Sequence, residues 1–179
     1  MQWILLLLGA LVALFLVLVI AGFLLPRNHR ATSWIELKRP PSEVWPVVRD
    51  LGQVPSFWPE IKAAERKPDR DGHEAWSQTM KNGFEIPLEI DEDQPPNRLV
   101  TRIATAGKTP FGGSWIYEIA AAPGGSRIIL TEDGWVDNPI FRVMSRIMGY
   151  HTTLDSYLRA LGKKFGESVK PAHEGGKNK

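Results

Sequence analysis

Two carboxylates, one histidine and a set of aromatic side chains are the residues of this chain whose types and spacing could do chemistry. His151 falls on an apolar stripe at helical spacing. Its charge can change near neutral pH, so it reads as a ligand hydrogen-bonder or a general acid/base. Asp155 follows one helical turn later and is placed to hold the ring in one orientation. The alternative is a histidine at a rim, satisfied by Asp155 or by backbone. Glu132 shares strand parity with Ile128 and Leu130, which puts a carboxylate on an apolar side. Buried there, it would have a raised pKa and could move protons. The alternative turns it out near Gly134 to pair with Arg102. His151 and Glu132 are candidates only, and no confident catalytic residue emerges.

A larger group is suited to binding. Phe84, Ile86, Leu88 and Ile90 alternate with Glu85, Glu89 and Asp91, giving one apolar strand face. Trp76, Gln78 and Met80 form a second alternating set, and Trp115, Tyr117 and Ile119 a third. Met144 and Met148 project from a helix, and flexible thioethers suit an adaptable apolar wall. Trp45 and Trp58, on the two short helical segments, most simply pack those segments against the sheet edge. Tryptophan and tyrosine offer apolar faces with one polar handle, as ligand pockets do. The same residues could instead fill a solid core.

Other chemistries find little support. The chain has no cysteine, hence no disulfide, thiol nucleophile or cysteine–zinc site. His29, His73, His151 and His173 are scattered without metal-ligand spacing. Gly112-Gly113 leads into a strand, not a helix, so no phosphate-cradling loop is present and no cofactor is expected. Ser145, His151 and Asp155 share one helical stretch, and spacing alone gives them no nucleophilic triad. The formal net charge is +2, an excess that Lys170, Lys177 and Lys179 against Glu174 account for. Residues 31–167 have mixed signs and a small acidic excess, so no nucleic-acid partner is expected.

These side chains need elements to position them. Trp3 to Leu25 carries no charge and reaches about 34 Å as a helix, enough for the roughly 30 Å hydrocarbon layer. Its short leader lacks Lys or Arg and no small-x-small site precedes Pro26, so an uncleaved anchor is preferred to a signal peptide. Arg27, Arg30, Lys38 and Arg39 follow the span, which by the positive-inside tendency places the rest of the chain in the cytoplasm. Thr32 to Leu37 alternates as a strand. Pro40-Pro41-Ser42 breaks it and opens a helix, with Ser42 as a plausible cap, and Val54 to Glu60 makes a second helical turn. Six more strands are expected: Ile61–Arg66, His73–Lys81, Phe84–Asp91, Leu99–Thr105, Ser114–Ala120 and Arg127–Val136. Asn82-Gly83 is the clearest hairpin signal, and spacings this short demand antiparallel neighbours. One long helix, Pro139 to Phe165, is expected next, capped by Asn138. Residues 168–179 read as a disordered tail.

The order is strand, two short helices, six strands and a long helix: an α+β helix-grip with seven antiparallel strands wrapped on the C-terminal helix. That order, together with WIELKRPPSEVWPVVRDLGQVPSFWPEI at the front, resembles the START-related (SRPBCC) superfamily, specifically its polyketide cyclase/dehydrase-type members, over about Thr32 to Phe165. The resemblance implies a cavity between curved sheet and helix that takes lipids or other apolar molecules. The expectation is a membrane-anchored (residues 1–26), single-pass cell-membrane protein. Its domain (residues 31–167) would bind an apolar small molecule such as a lipid, quinone or isoprenoid without catalysis. Trp58, Trp76, Gln78, Met80, Phe84, Trp115, Tyr117, Met144, Met148 and His151 would be the ligand contacts. A cyclase- or dehydratase-like enzyme and a membrane-tethered interaction module are the alternatives.

Overall fold

The computed structural model describes residues 2–104 and 110–174. Helix α1 (Gln2–Leu24) is the apolar stretch, long and apolar enough to cross a membrane, and residues 2–17 are exposed along their whole length. Strand β1 (Asn28–Leu37) begins almost at once. Helices α2 (Pro41–Arg49) and α3 (Val54–Phe57) follow, joined by a 3₁₀ turn at Leu51–Gln53. Next come β2 (Ile61–Arg70), β3 (His73–Met80), β4 (Glu85–Gln94), β5 (Arg98–Ile103), β6 (Phe111–Ala122) and β7 (Gly125–Val136). Helices α4 (Pro139–Met148) and α5 (His151–Lys164) and a short β8 (Ala172–His173) close the described chain. The sheet has eight antiparallel strands in the order β2-β3-β4-β5-β6-β7-β1-β8.

Local chemistry explains most of these elements. At the β3–β4 turn Gly83 takes φ +84, and Asn82 Oδ1 accepts from the Phe84 amide at 3.0 Å, as the hairpin signal demands. Asn138 caps α4, its Oδ1 accepting from Ile140 N at 2.9 Å and Phe141 N at 3.2 Å. Helix α2 starts two residues earlier than a Ser42 cap would place it. Pro40 is the N-cap residue, without a side-chain bond, and Pro41 sits in the first turn, where its missing N–H costs nothing.

Three expectations need correction. The long closing helix is two helices, because Gly149 adopts φ +83, ends α4 and re-aims the chain into α5. The sheet has eight strands rather than seven. The eighth comes from the stretch expected to be an unstructured tail: Ala172 and His173 pair with Trp34 and Ser33 of β1. Val169 packs against the core, close enough that a Cβ on Gly162 would meet its Cγ2 at 2.5 Å. Thr105 and residues 175–179 lie outside the described residues.

Helix α5 supplies the side chains the sheet curls around. Leu154, Tyr157, Leu158 and Leu161 are at most 1% exposed and meet Ile35, Leu99, Ile119, Ile128 and Leu130, with Val44 and Val48 of α2 completing the layer. Helix α4 differs: none of its residues is buried. It runs beside the last two turns of α1 instead, where Gly22 lies against Pro139 with no room for a Cβ. Arg142 locks this corner, its guanidinium donating to the carbonyls of Val136 (2.7 Å), Asp137 (2.9 Å), Gly22 (3.1 Å) and Leu25 (3.3 Å). The last two belong to the end of α1, whose final turn has no basic residue of its own. Arg142 serves as its C-terminal cation from another helix.

Candidate functional site

Between the concave face of the sheet, α3, α4 and the start of α5 lies a hollow of about 390 Å³. Its inner wall is aromatic. Tyr157, 1% exposed, stands at the centre, with ring centroids 5.4 Å from Trp58, 5.7 Å from Trp115 and Tyr117, and 5.9 Å from Phe57. All four pairs meet edge-on, the arrangement aromatic quadrupoles favour. Trp58 Nε1 donates to Ser156 Oγ at 3.1 Å, which fixes its ring against α5. Burial raises the Tyr117 phenol well above its ordinary pKa, with the facing Tyr157 adding to the effect, and burial raises Tyr157 too. Both stay neutral across the physiological range, so they can donate hydrogen bonds but cannot act as bases.

One carboxylate–imidazole pair interrupts this apolar lining. Glu132 Oε1 meets His29 Nε2 at 2.8 Å, and Glu132 Oε2 accepts from Trp115 Nε1 at 3.2 Å. The His29 ring stacks on Tyr150, centroids 4.4 Å apart and planes 11° apart. Glu132 therefore keeps strand parity with Ile128 and Leu130 and faces inward. It does not pair with Arg102, which lies on the opposite, convex face and binds Asp91 (2.9 Å) and Glu89 (2.7 Å). His29 carries no signal of its own in the sequence. The register that sets Ala31 opposite Glu132 brings it within reach.

Six of the ten expected contact residues line the hollow: Trp58, Gln78, Met80, Trp115, Tyr117 and Met148. The other four do not. Trp76 points to the same side of β3 as Gln78 and Met80 but lies nearer the opposite end, over Gly52, with its Nε1 donating to Glu74 at 2.7 Å. There Arg49 clamps Glu74 at 2.6 Å and Asp93 at 2.7 Å, and its hydrogen bond is the main reason the Glu74 carboxyl sits below its ordinary pKa. Phe84 is 42% exposed and packs at a tilt outside against Phe111, which does line the hollow. Met144 is 48% exposed on the outer side of α4.

His151 lies away from the hollow, in a polar cluster where α5 crosses β1. Ser33 Oγ donates to Asp155 Oδ1 at 2.7 Å and, its one proton spent, accepts from His151 Nδ1 at 3.1 Å. Asp155 also binds His173 Nε2 at 3.0 Å, and the two imidazoles stack 4.0 Å apart. Asp155 thus orients His151 only through Ser33. Burial, then the neighbouring His173, lower the His151 pKa, against the pull of Asp155. The residue types suggest a hydrolytic triad, but Ser33 is wholly buried and its proton points to the carboxylate rather than the imidazole. The cluster fastens the C-terminal strand to the sheet.

Among the described residues, no group of three or more His, Asp or Glu side chains is arranged to hold a metal ion. A second depression, about 510 Å³, lies on the convex side among Lys67, Asp69, Arg70 and Glu89. Pro68, Trp76, Pro87 and Leu88 also line it, and its charges are paired, Lys67 with Glu65, Asp69 with Arg66 and Arg70 with Glu89.

A curved antiparallel sheet closed over C-terminal helices with a hollow between them is a helix-grip arrangement, and the comparisons agree with that fold. A family model described as polyketide cyclase/dehydrase and lipid transport matches residues 28–158, and the chain belongs to that family. No curated protein matches the sequence. Among solved structures, a conserved protein from Geobacillus kaustophilus is similar over 81% of this chain and 100% of its own, at 16% identity and TM-score 0.63. A START superfamily protein from Mycobacterium smegmatis is similar over 76% of this chain and 96% of its own, at 16% identity and TM-score 0.59. The di-domain ARO/CYC BexL of the BE-7585A biosynthetic pathway matches 81% of this chain at 11% identity and TM-score 0.63. This chain spans about half, 52%, of that di-domain's length. At such identities these likenesses establish the fold, and function must come from the site.

Proposed function

We propose that this protein is a membrane-anchored, non-catalytic binder of an apolar small molecule of lipid, quinone or isoprenoid type. The observation that carries the reading is the hollow itself: an aromatic and aliphatic lining with a single carboxylate–imidazole pair in its wall. Its volume lies at the lower end of the range for small-molecule sites, which suits a ring system or one acyl chain better than a two-chain phospholipid. The apolar body would rest on Trp58, Trp115, Tyr117 and Tyr157, and a polar end would meet Glu132 and His29. Helix α1 is long and apolar enough to cross a bilayer. It would hold the hollow where such molecules partition, with the domain on the cytoplasmic side.

Native mass spectrometry of the detergent-purified full chain should reveal a co-purifying apolar molecule. Repeated empty preparations would defeat the reading and favour a tethered interaction module. Protease protection of the domain in sealed membranes tests its side, and the intact mass tests whether α1 is retained.

A second reading has one observation behind it. Glu132 and His29 form a hydrogen-bonded pair facing the hollow, and a cyclase or dehydratase would need such groups to move protons. Activity on a polyketide-like substrate that Glu132→Gln abolishes, in a protein that still folds, would favour the enzyme.

A further inference from the structure

Helix α1 ends at Leu24 and β1 starts at Asn28, so only Leu25, Pro26 and Arg27 separate the span from the sheet. Antiparallel pairing then fixes which end of every strand lies near the span. It is the start of β1, the end of β7, the start of β6, the end of β5, the start of β4 and the end of β3. The hollow is lined from that end: His29, Val136, Phe111, Ile103, Ile86 and Met80 are among its walls. Its rim at the same end carries exposed apolar side chains, Phe141 (49% exposed) and Met148 (65%) of α4, with Phe84 (42%) beside Phe111.

Helix α4 adds an independent observation. It is amphipathic yet buries nothing, and Met144 (48%) and Ile147 (78%) extend its open apolar side. Its neighbour is the end of the span: among the described residues up to Leu25, only Leu18, Val19, Ala21, Gly22 and Leu25 are partly or fully covered. Leu18 to Leu25 is about 10 Å of helix, so α4 lies within that distance of the end of the span. With α1 crossing a bilayer up to Leu25, that would be the depth at which interfacial amphipathic helices rest, apolar side toward the acyl chains. Arg30 and Arg146 near this corner are both exposed, Arg30 in an ion pair with Asp133 at 3.0 Å.

From this we infer that α4 lies in the membrane interface with Phe141, Met144, Ile147 and Met148 against the acyl layer, so that the hollow opens onto the bilayer rather than onto water. The partner of this open helix face is the lipid surface that holds α1. A ligand would pass sideways between membrane and hollow without crossing bulk solvent. The inference rests on α1 being a retained span, and on the proposed binding function only for what passes through the mouth.

The chain has no cysteine, so single labelling sites are easily made. The full chain carrying Ile147→Cys or Met144→Cys, with Arg159→Cys on α5 as reference, is labelled with an environment-sensitive fluorophore. It is then reconstituted in phosphatidylcholine–phosphatidylglycerol vesicles containing acyl-chain nitroxide lipids. The expected result is several-fold stronger quenching at 147 and 144 than at 159, with blue-shifted emission. Equal, weak quenching at all three sites, in protein that resists carbonate extraction, would overturn it. So would shielding of 147 by a second copy without lipid quenching, or loss of α1 from the mature chain. An empty hollow by mass spectrometry would sink the binding function and leave the quenching result standing.

Discussion

The two ends of the sheet are built from the same strands and packed differently. At the end far from α1, Ile128 and Leu130 of β7, Ile119 of β6 and Leu99 of β5 are almost wholly excluded from solvent against α5 and α2. Toward α1 the same strands present Glu132, Trp115 and Thr101 to an open volume, and the covering element changes from α5 to α4, which buries nothing. Gly149 marks the change. A side chain's contribution should therefore depend on its distance along the strand from the span more than on its residue type.

Substitutions can test that contrast. Leu158→Ala, in the packed end, should cost about 2–5 kcal/mol through lost transfer energy plus an unrelaxed cavity. Denaturant unfolding of the full chain in detergent measures this, and a cost under about 1 kcal/mol would mean the packed end is loose as well. Met80→Ala, in the wall of the hollow, should cost about 1 kcal/mol or less, because atoms facing a void have few partners to lose. A loss equal to that of Leu158→Ala would erase the distinction.

The smallest effect concerns pH. His151 holds fewer protons when folded than when unfolded between its lowered pKa and the ordinary histidine value of about 6.5. Stability should thus fall as pH drops below about 6.5 and be level above it. His173, Asp155 and Arg159 face the same cluster. For that reason the measurement is the difference between wild type and His151→Gln, whose melting temperature should fall less steeply with acid. An identical slope in both would exclude His151 as the source.

Much of this is legible in the sequence, and the limits have physical causes. Alternation assigns a face, so β4's Ile86 and Leu88 and the inward Glu132 can be read directly. Alternation says nothing about position along a strand, which is why it groups Trp76 with Gln78 and Met80 although Trp76 lies over Gly52. On helices the same ambiguity separates Met144, outside, from Met148, at the rim. Tyr157 has a signal, one turn after Leu154 and next to Leu158, but the tryptophans are more conspicuous. His29 has none, since its partner lies on β7 and only pairing register unites them. The break at Gly149 has its signal in the glycine itself. The ordered tail has none: SVKPAH looks polar, and its order depends on Val169 finding Gly162 and His173 finding Asp155.

The Arg142 clamp ties the end of α1 directly to α4 and the end of β7. With α1 in a bilayer, a lever of this kind converts membrane thickness into attitude. A thinner membrane makes the span lean, and the body must lean with it, pressing one side of the mouth deeper and lifting the other. Ligand exchange would then vary with the acyl-chain length of the host membrane, a dependence that a flexible leash of the same hydrophobicity would not produce.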